Sequence, residues 1–518
     1  MPVVLSADEA VRRIPDNSTV LINPLPSEEV FAAFHRVFEA AGAPRNLTVV
    51  YAAGLGPFSE ERRGMNHFAY PGMLKRVVAG HVGLNYLLVK MIAGNQCEAY
   101  NLPQGVMTQL YREIAAKRPG LITPIGLGTF VDPRIEGGKL NERTRSCEDL
   151  VEVVEIGGRE MLWYKTFPVH VGLVRATTAD PKGNLTCEDE ALTMENLEVA
   201  MAARNCGGIV IAQVRFLRDT AAHPREVRVP GIFVDYVIVA QSRKTHPHTL
   251  FVEHDPSYTG DVRASLQDEL QPLPLNIEKV ISRRAAMELR RGMVVNLGVG
   301  IPMGVAVVAF EEGLLDDFTL NTEIGVFGGL PQGGRNFGPA KNPVAFISQP
   351  QMFDFYDGGG LDVTCLGLAQ VDQEGNVNVS KLGSKIIGCG GFIDITQSAR
   401  QCCFCGEFAA GGLDAVVEDG RLVIREEGKI SKFVASVQQI TFSGRIARQK
   451  AQNVVYITER CVFRLVPEGL LLSEVAPGVD VQEDILAKMG FAPIVPDEVA
   501  PMNPAIFRDA IMGLARQA

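Results

Sequence analysis

Short β-branched runs alternate along this chain with segments whose apolar residues recur at helical spacing. Leu47–Gly56 (LTVVYAAGLG), Gly207–Val214 (GGIVIAQV) and Gly292–Gly300 (GMVVNLGVG) read as strands. Asn276–Gly292 (NIEKVISRRAAMELRRG) reads as an amphipathic helix, and Ser6 with Glu9 forms the capping-box pattern that opens one. This alternation predicts α/β domains with largely parallel sheets. Ligands of such sheets bind at the carboxyl ends of the strands.

The pattern recurs. Val171–Thr186 (VGLVRATTADPKGNLT) resembles Val363–Val379 (VTCLGLAQVDQEGNVNV). Each is an apolar strand ending in Asp-x-x-Gly-Asn, a hairpin-type turn, and the two turns lie 192 residues apart at both ends. Two related α/β domains are therefore expected. The proline-rich Leu270–Asn276 (LQPLPLN) sets the division at 1–272 and 273–518.

A length of 518 residues agrees, being too great for one core. At 46% hydrophobic and 21% charged, the composition excludes a mostly disordered chain. Net charge is −10 and no lysine or arginine block occurs, which argues against a nucleic-acid partner. The first residues show no signal-peptide pattern, and no apolar run reaches the roughly 18 residues of a membrane span. With 10 scattered cysteines, the expectation is a cytoplasmic protein with reduced thiols and no membrane association.

Glu323 stands out. It follows the β-forming Phe318-Thr319-Leu320 and is followed by Gly325, Gly328 and Gly329. Three readings fit: a ribose-binding acid of a dinucleotide fold, a buried structural glutamate, or a carboxylate that reacts. The loop Gly298–Gly304 (GVGIPMG), with Pro302 as first residue of a helix, suits an anion cradle, but its spacing is not the dinucleotide fingerprint G-x-G-x-x-G. Asp354–Val363 (DFYDGGGLDV) and Ser384–Ile395 (SKIIGCGGFIDI) read as apolar strands joined through glycine, and Lys385 could meet a phosphate or simply be solvated. Gly94–Gly105 (GNQCEAYNLPQG) reads as a functional loop. The Cys402–Cys405 run reads as buried cysteines, and His246, His248 and His254 form no metal-triad pattern, so no metal is expected. All 8 histidines lie at or before His254, and no G-x-S-x-G elbow occurs.

These residues resemble the family I coenzyme A transferases, in particular the bacterial acetate/propionate branch that acts on short-chain acyl groups. The likeness covers nearly the whole chain: AYNLPQG (Ala99–Gly105), GLGTFVDPR (Gly126–Arg134), GGKLNE (Gly137–Glu142), MFDFYDGGGLDV (Met352–Val363), GGFIDI (Gly390–Ile395), ITFSG (Ile440–Gly444), YITERCVF (Tyr456–Phe463) and EVAPGVD (Glu474–Asp480). The resemblance implies a CoA-transferase-type fold and puts the family's nucleophilic Glu-x-Gly motif on Glu323-Ile324-Gly325. Relatives often read Ser-Glu-Asn-Gly; this chain has Thr322 before the acid and Ile324 after it, which blurs the substrate.

The resemblance also implies coenzyme-binding or oxyanion roles for Gly298, Val299, Gly300, Lys385, Gly388, Gly390 and Gly391, with a backbone amide near Gly390 at the oxyanion. Gly54, Leu55, Gly56, Gln104 and Phe327 are the expected substrate pocket. No cofactor is held permanently; coenzyme A is substrate and covalent intermediate. The expected partners are acyl-CoA and carboxylates, in a homo-oligomer, dimer or tetramer. The implied course is ping-pong, through a glutamyl-CoA thioester. An acyl-CoA hydrolase on the same scaffold, a metabolite-sensing protein and, more distantly, an NAD-dependent dehydrogenase are the alternatives.

Overall fold

The computed structural model describes residues 2–514. Two ten-stranded sheets dominate it. The first uses strands between Val3 and Val239, the second strands between Val294 and Pro501. In the first sheet an eight-strand path is parallel throughout. In the second, five central strands are parallel: Thr319–Thr322, Val294–Leu297, Val363–Gly367, Gln401–Cys405 and Asn453–Ile457. Antiparallel strands flank them on both sides. The α/β class with largely parallel sheets is thus observed.

The two sheets share a strand order. Thr19–Ile22 has Leu47–Tyr51 on one side and Val171–Ala179, then Ile209–Leu217, on the other. Val294–Leu297 has Thr319–Thr322 on one side and Val363–Gly367, then Gln401–Cys405, on the other. The direction of winding therefore reverses beside Thr19–Ile22 and beside Val294–Leu297. Such switch points open the crevices in which α/β sheets bind ligands.

The repeated turns match bond for bond. One Asp180 carboxylate oxygen accepts the Lys182 and Asn184 N–H groups and the other accepts the Asn184 amide. Asp372 does the same with Glu374 and Asn376. Asn184 then accepts the Gly231 N–H and Asn376 the Gly444 N–H, each at 2.9 Å. The same Asp-x-x-Gly-Asn side chains thus tie each hairpin to a later segment of its own half.

Local predictions fare unevenly. The Ser6/Glu9 capping box is formed, and Asn276 caps a helix over Ile277–Ala286. Four readings are corrected. Asp354–Asp357 belongs to a helix, Gln349–Asp357, at whose start Gln351 Oε1 accepts the Ser348 N–H, so the glycines there join helix to strand. Ser384–Ile395 is a short hairpin strand, Lys385–Ile386, leading into the helix Phe392–Ser398. Gly94–Gly105 is no loop: Glu98–Asn101 is a buried parallel strand and a helix begins at Gln104. Pro302 is second, after Ile301, in a short 3-10 turn before the helix Gly304–Glu311.

Candidate active site

A cavity of about 610 Å³ lies where the two halves meet. Its walls come from the loops that follow corresponding strands of the two sheets: Pro24–Pro26 and Leu297–Val299 after the switch-point strands, Ala53–Gly56 and Glu323–Ile324 after their neighbours. Corresponding loops of the two sheets thus bring the glycine loop of the first half and the acid of the second into one cavity.

Glu323 opens a three-residue turn between Thr322 and Val326, which pair across the hairpin. Gly325 makes that turn possible: its φ is 103°, and a Cβ there would lie 2.1 Å from the Ile347 carbonyl oxygen. Glu323 is 8% exposed, and among the described residues no other residue's donor reaches its carboxylate. Burial alone raises its pKa from 4.5 to about 7. Among the described residues, no other carboxylate lines the cavity.

Gly391 lies beside it. A Cβ on Gly391 would sit 3.4 Å from Glu323 Cγ and 3.3 Å from Ile395 Cδ1. The two halves are sewn together here by backbone bonds. Gly390 N–H donates to Gly80 O at 2.7 Å, and Gln104 N–H donates to Gly390 O at 3.0 Å. Asn101 joins the same seam, donating to Ala79 O and Gly80 O and accepting the Cys389 N–H. The Gly390 amide is therefore engaged. Among the described residues, the Gly391 N–H and the buried Gln104 Nε2 have no acceptor. Two donors stand unused in the cavity wall, the Gly391 amide beside Glu323 and the Gln104 side chain beside Gly390.

Of the sequence-predicted residues, Gly54, Leu55, Gly56, Gln104, Gly298, Val299, Glu323, Gly390 and Gly391 line one cavity. Four do not. Lys385 is exposed on its hairpin. Gly388 sits under the wall, against Asn101 and Gly80. Gly300 faces a separate small cleft. Phe327 turns its ring edge-on to Phe355 at 5.6 Å, outside the cavity wall.

The histidines bring a correction. All precede the C-terminal half in sequence, yet His81 and His248 reach this cavity because the halves meet there. His81 follows the strand Leu74–Ala79; its Nδ1 would lie 2.7 Å from a Cβ on Gly54, so only glycine fits that position. Burial pushes the His81 imidazole down to about 4, leaving it uncharged at neutral pH. His248 Nδ1 accepts the Asp255 N–H and its Nε2–H donates to the Asp189 carbonyl, so neither ring nitrogen has a lone pair left for a metal. The three loop histidines do not converge: His246 bonds Glu190 at 2.9 Å, while His248 and His254 gather around Asp189, which Arg243 also holds.

The cavity thus holds, among the described residues, one acid at a glycine turn, the uncharged His81 and donors without a partner. The family is given by comparison with known proteins. The sequence model described as Coenzyme A transferase matches residues 4–240. The chain is 45% identical over 525 residues to the caffeate CoA-transferase of Acetobacterium woodii, covering 99% of both. It is 43% identical over 520 residues to the acetate CoA-transferase YdiF of Escherichia coli K12, covering 98% of this chain and 96% of that one. The crystal structure of the E. coli O157:H7 acyl-CoA transferase YdiF, a thioester complex with CoA, superposes with a TM-score of 0.91 at 42% identity, over 99% of this chain and 97% of that chain. The chain belongs to the family I coenzyme A transferases. It is a CoA-transferring enzyme, with acyl-CoA as substrate. Among the described residues, no helix is long and apolar enough to cross a membrane.

Proposed function

We propose that the enzyme moves coenzyme A between a short-chain acyl-CoA and a free carboxylate such as acetate, by a ping-pong course through a thioester on Glu323. The observation that carries this is Glu323 itself, among the described residues the sole carboxylate of the cavity, buried and unpaired beside the unused Gly391 amide. A solvated carboxylate attacks thioesters poorly. One stripped of water and fixed against the carbonyl gains effective concentration worth several kcal/mol, about 7–11 in favourable cases.

In the first half-reaction a Glu323 oxygen attacks the acyl carbonyl and the C–S bond breaks, giving an acyl-glutamyl anhydride and CoA thiolate. The thiolate attacks the glutamyl carbonyl, and the acid leaves with the former Glu323 oxygen. Glutamyl-CoA remains. The acceptor carboxylate then runs the same steps backward, and one of its oxygens restores Glu323. Both nucleophiles are anions, so no base is required. Each tetrahedral oxyanion needs donors, and the Gly391 N–H and Gln104 Nε2 are the candidates. One such donor is worth roughly 3 kcal/mol. Gly54–Gly56 and Gly298–Val299 are the proposed walls for the CoA arm.

The thioester form of the E. coli O157:H7 relative supports this course. The names of the relatives leave the acyl group open, since one is a caffeate and the other an acetate CoA-transferase. The test follows loss of acyl-CoA with and without acetate. A transferase forms acetyl-CoA stoichiometrically and stalls without acceptor, and Glu323→Ala abolishes transfer while keeping the fold. Equal turnover without acceptor makes the enzyme a hydrolase, and a fully active Glu323→Ala ends the proposal.

A further inference from the structure

The wall beside Glu323 is apolar and carries almost no positive charge. Ile324, next in the chain, packs in one cluster with Leu25, Leu192 and Met194, with Phe337 against it, and all five line the cavity. Ile324 Cδ1 and Leu192 Cδ1 converge from the two halves: each lies 3.2 Å from where a Cβ on Gly338 would stand. Met194 holds a φ of 49°, and Phe58, at the cavity edge, a φ of 60°. Side chains rarely adopt this region, because Cβ crowds the backbone. Such strain persists where the surrounding structure imposes it, and it gathers at ligand walls. Both strained residues here are apolar, and both line the same cavity.

The charge census is equally one-sided. Among the described lining residues, Arg335 is the one fixed cation. It is exposed, with its guanidinium 5.3 Å from the centre of the Phe251 ring. His248 has both ring nitrogens engaged.

Resting on the reading of Glu323 as the CoA carrier, we propose that this wall is the acyl site and that it selects uncharged, apolar monocarboxylic acyl groups larger than acetyl over groups bearing a second carboxylate. A distal carboxylate against Leu25, Leu192 and Met194 would lose its water to side chains that carry neither a donor nor a charge. Carried on acyl-CoA, it would also lie in the field of ionised Glu323. An alkyl chain loses nothing there, and each added methylene gains burial.

The test offers hexanoate, acetate and succinate as competing acceptors, with propionyl-CoA as donor, and separates the acyl-CoA products by mass. Hexanoate should exceed acetate at least tenfold in kcat/KM, and succinate should fall at least a hundredfold below hexanoate. Met194→Gly keeps the backbone conformation without strain and removes the side chain; it should lower the hexanoate-to-acetate ratio at least tenfold. Phe337→Ala, at a half-buried position, carries the same expectation should the first variant fold poorly. Succinate used as well as hexanoate, or ratios unchanged in both variants, overturns the acyl-site proposal and leaves the glutamyl-CoA course standing. Succinate use that disappears in Arg335→Gln would place a carboxylate reader at the mouth, and also overturns it. Transfer to no acid at all overturns the underlying reading instead.

Discussion

Replacing Glu323 by glutamine should make the protein inactive and, at alkaline pH, more stable. The carboxyl group titrates at about 7 in the fold against 4.5 ordinarily, because burial penalises the charged form. The native state therefore holds a proton that the unfolded chain has released, and stability falls as pH rises through that window. Below the unfolded value the two states are protonated alike and the penalty vanishes; above the folded value it is complete. At about 1.4 kcal/mol per pH unit of separation, the full penalty is about 3 kcal/mol, and near pH 5 it is about 1 kcal/mol. Glutamine has nearly the same shape and cannot ionise. The difference in unfolding free energy between Glu323→Gln and the native protein should thus grow by about 2–3 kcal/mol between pH 5 and pH 8, whatever constant offset the amide adds. Paired denaturant titrations across that range read this slope directly. In the native enzyme, kcat/KM for acyl-CoA should fall tenfold per pH unit below about 7, since only the carboxylate attacks. A stability difference flat with pH to within about 1 kcal/mol would refute the claim that Glu323 is desolvated and unpaired.

Two glycine substitutions probe the geometry around the acid. Gly391→Ala puts a methyl group 3.2 Å from Phe353 Cζ and 3.4 Å from Glu323 Cγ at an ordinary φ of −82°, so kcat should drop at least tenfold while the unfolding midpoint stays close to native. Gly325→Ala meets the Ile347 carbonyl at 2.1 Å with φ at 103°, so it should cost at least about 2 kcal/mol of stability and most of the activity together. An active, stable Gly325→Ala enzyme would mean that the turn does not fix Glu323.

Much of this was readable from the chain. The alternation of β-branched runs and helical segments carries the α/β class, and the matched Asp180 and Asp372 turns carry the relation between the halves because their side chains make the same local bonds. Glu323 was legible because an acid followed by three glycines needs a reason. The helix over Gln349–Asp357 was missed although its Ser348–Gln351 cap was present, since the glycines after it drew the reading toward a strand link. His81 followed the same strand-then-glycine grammar as Glu323, but only the docking of the halves shows that it shares the cavity. That docking also decides which amides are free: Gly390 lost its donor to Gly80, a residue 310 positions earlier in sequence. The strained φ angles of Phe58 and Met194 have no local signature at all, because tertiary packing imposes them.

The most direct test of the account is mass spectrometry of the intact protein and its peptides after mixing with acetyl-CoA, without acceptor, followed by borohydride. A thioester on the enzyme should appear as a CoA adduct and be reduced to an alcohol on the peptide that holds Glu323. Turnover that proceeds with several acyl-CoAs and leaves no mark on that peptide would contradict covalent transfer through Glu323.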